Sequence, residues 1–417
     1  MTLLVISPDY ASHYGPLAVI ARAAQQDGRR VVVATGHSIR SRVEAEGFEW
    51  RELNLAASSN SGVVAKDPSI ERFLAATRSG ALDTIRYQAL QRQCDLLWQP
   101  EQVVRAITSL YYDLEPDEVL VDHVSFGSTL AMYALGESFI TLVPGHPSQL
   151  PVGDERYGIP DQWPACLRPD PEQLIEVERL ADTVTAAFTD RWNTALAALA
   201  PVRPPVEDAF RVHGRRVLYN SVSGYHSALR SAALPSDHRF VGPLVREEAL
   251  PESLTSWRHQ KDDRPQVYVA LGTFLSHRVD VLTRIAEALR GVGARAAMAI
   301  GSMSKHELGP IPDDWLVARE LPQVAMLQHA DLAIHHGGNN SVQECLGIGL
   351  RQLVLPFSTD QFANAADLER AGVASILDPN EMSTAQLTEA ILARLDAPLP
   401  ISQARMTNAG VIEALFD

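Results

Sequence analysis

The chain reads as an α/β protein built on two parallel sheets. Short apolar runs of strand length alternate with segments whose apolar residues recur at helical spacing; a proline-punctuated stretch interrupts this, and beyond it the alternation restarts. The length agrees, since 417 residues make two or three domains at roughly 150 residues each. With 46% hydrophobic and 21% charged residues, the composition is that of a chain with large buried cores, far from the disordered class.

Residues 3–6 form the first strand. Pro16 suits a first helical position, Leu17, Ile20, Ala21 and Ala24 carry a helical stripe toward Gly28, and Val31 to Ala34 is the next strand. Such a strand, helix, strand unit requires parallel pairing with a right-handed crossover. The pattern recurs at Glu118 to Val121, a helix over 126–135, and Phe139 to Val143. Residues 54–100 break it. There the Ser/Asn-rich Ser58 to Ser61 precedes a helical segment with Leu82, Ile85, Ala89, Leu96, Leu97 and Trp98, an insertion over the sheet edge where open α/β sheets bind ligands. Pro235, Pro243, Pro251 and Pro265, with the charged run Lys261 to Arg264, mark the linker. The second half then gives strands at Val267 to Leu271, Ala296 to Ile300, Asp331 to His335 and Gln352 to Pro356, with a helix near 279–290.

Charge and cysteine content narrow the function. The 36 basic and 51 acidic residues leave a net charge of −15, which disfavours nucleic-acid binding and docking on anionic lipid. Three scattered cysteines, Cys94, Cys166 and Cys345, form neither a disulfide framework nor a CxxC site. The apolar run Leu3 to Ile6 is too short for an export signal, and no stretch approaches the roughly 18 to 20 apolar residues of a membrane helix. A soluble, cytoplasmic protein is expected.

The strongest local motif is His335-His336-Gly337-Gly338-Asn339-Asn340-Ser341, between a strand and a helix containing Gln343 and Glu344. Glycines let backbone amides approach a ligand, Asn340 or Ser341 can cap the helix, and its positive end favours an anion. An ordinary capped turn has the same local sequence. A second strand-end turn, Leu271-Gly272-Thr273, offers another amide and a hydroxyl. His13, just past the first strand, and Asp122, at a later strand end, can converge as an imidazole and the carboxylate that orients it, although capping and core roles compete. No GxSxG elbow is present, which disfavours a serine hydrolase. His335 and His336 point to opposite faces of a strand, and no Asp-x-Asp occurs, so no metal is expected.

With these residues in view, the chain resembles the family 1 glycosyltransferases, which include plant secondary-product enzymes and bacterial antibiotic glycosyltransferases. The motifs run in order from His13-Tyr14-Gly15-Pro16 through Asp122, Val241-Gly242-Pro243 and Leu271-Gly272-Thr273 to Leu321-Pro322-Gln323, Leu327 to Asp331, the His336 to Glu344 block, Pro356, Asp360-Gln361 and Asn364-Ala365. The resemblance implies a GT-B fold of two doubly wound, Rossmann-like domains facing a cleft. Residues 1–242 would bind the acceptor, 243–400 the nucleotide sugar, and 401–417 would pack back on the first domain. His13 would be the general base and Asp122 its partner. Gly272, Thr273, His336, Gly338, Asn340 and Ser341 would hold the diphosphate, Leu321, Gln323 and Glu344 the nucleoside, and Asp360 and Gln361 the sugar. Phe73, Trp98, Tyr157 and Trp163 are the candidates for a hydrophobic acceptor pocket.

The implied reaction is inverting transfer of a (deoxy)sugar to a hydroxyl or similar nucleophile of a hydrophobic aglycone such as a polyketide, with no metal and no cofactor beyond the donor substrate. A homodimer is left open. Glu320 stands where many relatives have a base-stacking Trp, Ser12 where a Gly precedes the His, and Asn339 where plant members have Trp. The His-Gly-Gly pattern favours a bacterial natural-product enzyme using a dTDP-sugar over UDP-glucose. The alternatives are a lipid or sterol UDP-glucosyltransferase of the same fold, which the −15 charge disfavours, and a non-catalytic nucleotide-sugar-binding auxiliary protein.

Overall fold

In the computed structural model, which describes residues 1–56, 68–252, 254, 257 and 263–416, the chain forms two all-parallel sheets. The first runs β3 (Glu49–Glu52), β2 (Arg30–Thr35), β1 (Thr2–Ile6), β4 (Glu118–Asp122), β5 (Ile140–Val143), β6 (Arg216–Tyr219) and β7 (His238–Phe240). In the second the order is β10 (Leu316–Ala318), β9 (Arg295–Ala299), β8 (Gln266–Ala270), β11 (Leu332–His335), β12 (Arg351–Val354) and β13 (Ala374–Ile376). Each sheet therefore reverses direction beside its first strand, the doubly wound arrangement that opens a crevice at the carboxyl ends of the strands. The central strands β1, β4, β8 and β11 are apolar and buried, as parallel strands covered by helices on both faces must be.

Two sequence expectations shift. The first helix begins at Ala11 and encloses Pro16, so His13 lies in its first turn, not in a loop before it. The Gly-rich block is followed by the helix Asn339–Ile348, whose N-cap is Gly338, so Asn340 and Ser341 sit inside the first turn and do not cap it. Ser58 to Ser61, Lys261 and Asp262 lie outside the described residues, as do the side chains of Cys94 and Thr273. Beyond that gap the insertion is helical, Pro68–Ser79 and Ala81–Asp95.

Contacts between the two halves fix the crevice. Gly242 crosses so near Ser221 that a β-carbon there would overlap its backbone, which accounts for glycine at the start of the linker. Asn339 donates to the carbonyls of Pro144 (2.8 Å) and Asn220 (2.7 Å). The helix Asn408–Phe416 returns to the first sheet and buries Val411 and Leu415 in a core shared with Leu3, Leu17 and Leu218. No helix among the described residues is long and apolar enough to cross a membrane.

Candidate active site

β4 ends at Asp122, and the turn that follows lets its buried carboxylate accept from the Val124 amide (3.0 Å) and from His13 Nδ1 (2.9 Å). Sequence reasoning expected this pair, and the structure brings it together. Burial lowers the His13 pKa, but the charge and hydrogen bond of Asp122 and the charge of Asp360 outweigh it, so the net shift is upward. With Nδ1 held, Nε2 is the nitrogen left to face a substrate. His13 and Trp98 share the wall of a cleft of about 760 Å³, with Tyr10, Leu55, Leu96 and Phe126.

The other three aromatic candidates go elsewhere. Phe73 packs on the hydrophobic core of the second sheet. Tyr157 stacks on Phe210, with ring centroids 3.9 Å apart and planes 8° from parallel, and Trp163 stacks on Phe362. Three large rings in that part of the chain were legible; which of them would be spent on packing depended on partners distant in sequence.

Across the crevice, no side chain caps the start of the helix Asn339–Ile348, which leaves its first amides directed at the cleft. The His336 ring lies between Gly272 and Gly338, and a β-carbon on Gly338 would collide with its Nε2. Gly272 adopts φ +77°, and the turn it begins is a short helix, Gly272–Leu275. Packing around His336 brings its pKa down to about 4, with a hydrogen bond to the Ala270 carbonyl opposing, so the ring is neutral near pH 7 and its single N–H is the one that this carbonyl accepts. Asn340 reaches over to the carbonyl of Ser12 (2.7 Å) and so ties this helix to the residue beside His13.

The nucleoside candidates also gather. Gln323 donates to Ser341 Oγ (3.1 Å) and to Glu344 (2.6 Å), while Leu321 packs beside them on the core under β8. Burial raises the Glu344 pKa, and Arg246, 3.1 Å from its carboxylate, opposes the rise. Arg246 was missed by sequence reasoning. Its one local signal was a lone cation just after Val241-Gly242-Pro243. Gln361 is less available than expected, because its carbonyl accepts from the amides of Phe357 (2.9 Å) and Ser358 and so caps its own helix, Thr359–Arg370. Asp360 stays at the cleft, where its charge acts on His13.

A histidine and carboxylate pair on the cleft wall, an open helix start facing it, and a crevice between two doubly wound sheets make up the GT-B architecture. Comparison with known proteins points the same way: residues 231–400 match the model for UDP-glucoronosyl and UDP-glucosyl transferase. Among curated relatives, NDP-glycosyltransferase YjiC of Bacillus subtilis (strain 168) is 31% identical over 155 residues, 37% of this chain; the match spans only 39% of that relative's length. Among solved structures, the glycotransferase of kitacinnamycin is 20% identical with a TM-score of 0.66, covering 99% of this chain and 94% of its own. Glycosyltransferase VinC in complex with dTDP is 17% identical with a TM-score of 0.65, covering 100% and 94%.

Proposed function

We propose that the chain is an inverting glycosyltransferase that moves a sugar from a nucleoside diphosphate, dTDP in preference to UDP, to a hydroxyl on a hydrophobic natural-product aglycone. The observation that carries this reading is the His13 and Asp122 pair, 2.9 Å apart, on the wall of a large cleft and joined through Ser12 and Asn340 to an uncapped helix start. In this reading residues 1–242 form the acceptor domain, 243–400 the donor domain, and 401–417 a segment returning to the first.

His13 Nε2 takes the acceptor proton as the acceptor oxygen bonds to the anomeric carbon and the bond to the diphosphate oxygen breaks. Asp122 holds the imidazole in one tautomer and stabilises the imidazolium. The charge growing on the diphosphate meets the helix amides and the N–H of His336, which turns to it from the Ala270 carbonyl, while Glu344 and Gln323 meet the ribose hydroxyls. Asp360 faces the sugar and, through its charge, the imidazolium. The dTDP complex of VinC, the kitacinnamycin enzyme and the His-Gly-Gly pattern support the donor and acceptor classes. Thermal shifts with dTDP and UDP test the base: dTDP raises the melting temperature more, and a clear preference for UDP overturns that choice.

A further inference from the structure

Asn340, in the first turn of the helix Asn339–Ile348, has its amide held at both ends by the first half of the chain. Its Nδ2 donates to the Ser12 carbonyl (2.7 Å), and its Oδ1 accepts from Asn220 Nδ2 (3.4 Å). Asn220 is fully buried just past the end of β6, and its own Oδ1 accepts from the amide of Leu244 in the linker (2.9 Å). One chain of hydrogen bonds therefore runs from the linker, through two asparagines, to the residue before His13. Pro16 is what makes Ser12 available. A helical carbonyl ordinarily accepts from the amide four residues on, but for Ser12 that residue is a proline inside the helix, with no N–H to give. The partner it finds instead belongs to the other half of the molecule.

We infer that Asn340 is a positioning residue, which sets His13 against the donor through Ser12, and not the diphosphate ligand that the family resemblance implies. The inference rests on the base assignment above and deepens it. Asp122 fixes how the His13 ring turns, because it holds Nδ1, but that pair lies wholly within the first half. The distance from Nε2 to an anomeric carbon carried by the second half is set by contacts across the crevice. The bond between Asn340 and Ser12 is such a contact, one residue from the base at one end and in the first turn of the anion-binding helix at the other. An error of about 1 Å in that distance costs roughly 10² in rate. With Oδ1 and one Nδ2 hydrogen committed to protein, the amide keeps a single hydrogen for any ligand, so its loss falls on turnover and not on nucleotide affinity.

The test measures turnover with dTDP-glucose and a phenol acceptor, dTDP affinity by calorimetric titration, and denaturant midpoints, for the whole protein, Asn340→Ala, Pro16→Ala and the double variant. Asn340→Ala lowers kcat roughly 10- to 100-fold and weakens dTDP less than about threefold, which also shows that the variant is folded. Its acid limb stays in place, because the His13 and Asp122 pair is untouched. Pro16→Ala returns an N–H to the Ser12 carbonyl, so in that background Asn340→Ala no longer lowers the denaturant midpoint, yet it costs the same factor in turnover. A roughly tenfold loss of dTDP binding with kcat kept, the cost of a lost phosphate contact, makes Asn340 a diphosphate ligand and overturns the inference. Recovery of turnover in the double variant shows that Asn340 only satisfies a stranded carbonyl, and overturns it too. Near-normal transfer by His13→Ala, or no transfer by the wild type from dTDP-glucose or UDP-glucose, removes the reading on which the inference rests and the inference with it.

Discussion

His13 carries the most testable chemistry. Its imidazole feels burial, which lowers its pKa, against Asp122 and Asp360, which together raise it above the ordinary value of 6.5. A base works only when unprotonated, so glycosyl transfer to a phenol acceptor should show an acid limb with a midpoint above 6.5. Asp122→Asn removes the larger charge and should move that midpoint down while lowering the maximal rate; an unmoved limb would separate the limb from this pair. His13→Ala should cost roughly 10² to 10⁴ in turnover with dTDP affinity unchanged. Near-normal transfer to a hydroxyl acceptor by that variant would sink the base assignment. The pair was legible from the sequence because Asp122 ends one strongly apolar strand and His13 opens the helix that follows another, and these ends of one parallel sheet converge. Arg246 was not legible, since its meaning lies in Glu344, a partner that only the fold brings near.

At the level of elements, the helix Asn339–Ile348 works through its exposed start, and its start works because Gly338 leaves room for His336. Gly338→Ala places a β-carbon against His336 Nε2 and displaces the ring from between the two turns. We expect dTDP to bind about tenfold more weakly by titration, the cost of one lost charge-assisted contact, with the helix itself retained, because Gly338 is its N-cap in an extended conformation that alanine also adopts at a capping cost of about 1 kcal/mol. Unchanged affinity would mean that His336 does not touch the diphosphate. The strands that position this helix were readable from their apolar runs. The edge strands β3, β7, β10 and β13, of three or four residues each, were not, because a strand that short carries too few alternations to distinguish it from loop. The start of the first helix was misplaced for a related reason. Pro16 is a good helix-opening residue, but here it is the sixth residue of the helix: its missing N–H leaves the Ser12 carbonyl without a helical partner, and Asn340 donates to that carbonyl instead.

The whole molecule is held in register by contacts that cross between its halves, and one buried group of them centres on Asp367. This carboxylate, on the helix that carries Asp360, accepts from His146 Nε2 (3.1 Å) and His226 Nδ1 (2.8 Å) of the first half. Burial alone would raise its pKa, but the two imidazole hydrogen bonds hold it far below the usual carboxylate range. Asp367→Asn should therefore cost about 3 kcal/mol by denaturant melts; a loss under 1 kcal/mol would mean the halves are held elsewhere. Acid should weaken the fold by a separate route. Burial brings His238 down to about 4 and His335 to about 3, each helped by a neighbouring histidine. Between pH 6.5 and about 4 the unfolded chain takes up protons at these two sites that the folded chain refuses, so stability falls as the pH falls. Each site contributes up to about 1.4 kcal/mol per pH unit to that slope. His13 works in the opposite sense: the stability it adds is present below 6.5 and fades as the pH rises through its folded value. Calorimetry from pH 7.5 to 4.5 should show the melting temperature dropping steadily below 6.5, and His238→Asn should flatten the drop. A melting temperature that is level across this range would mean that neither imidazole is buried in its neutral form.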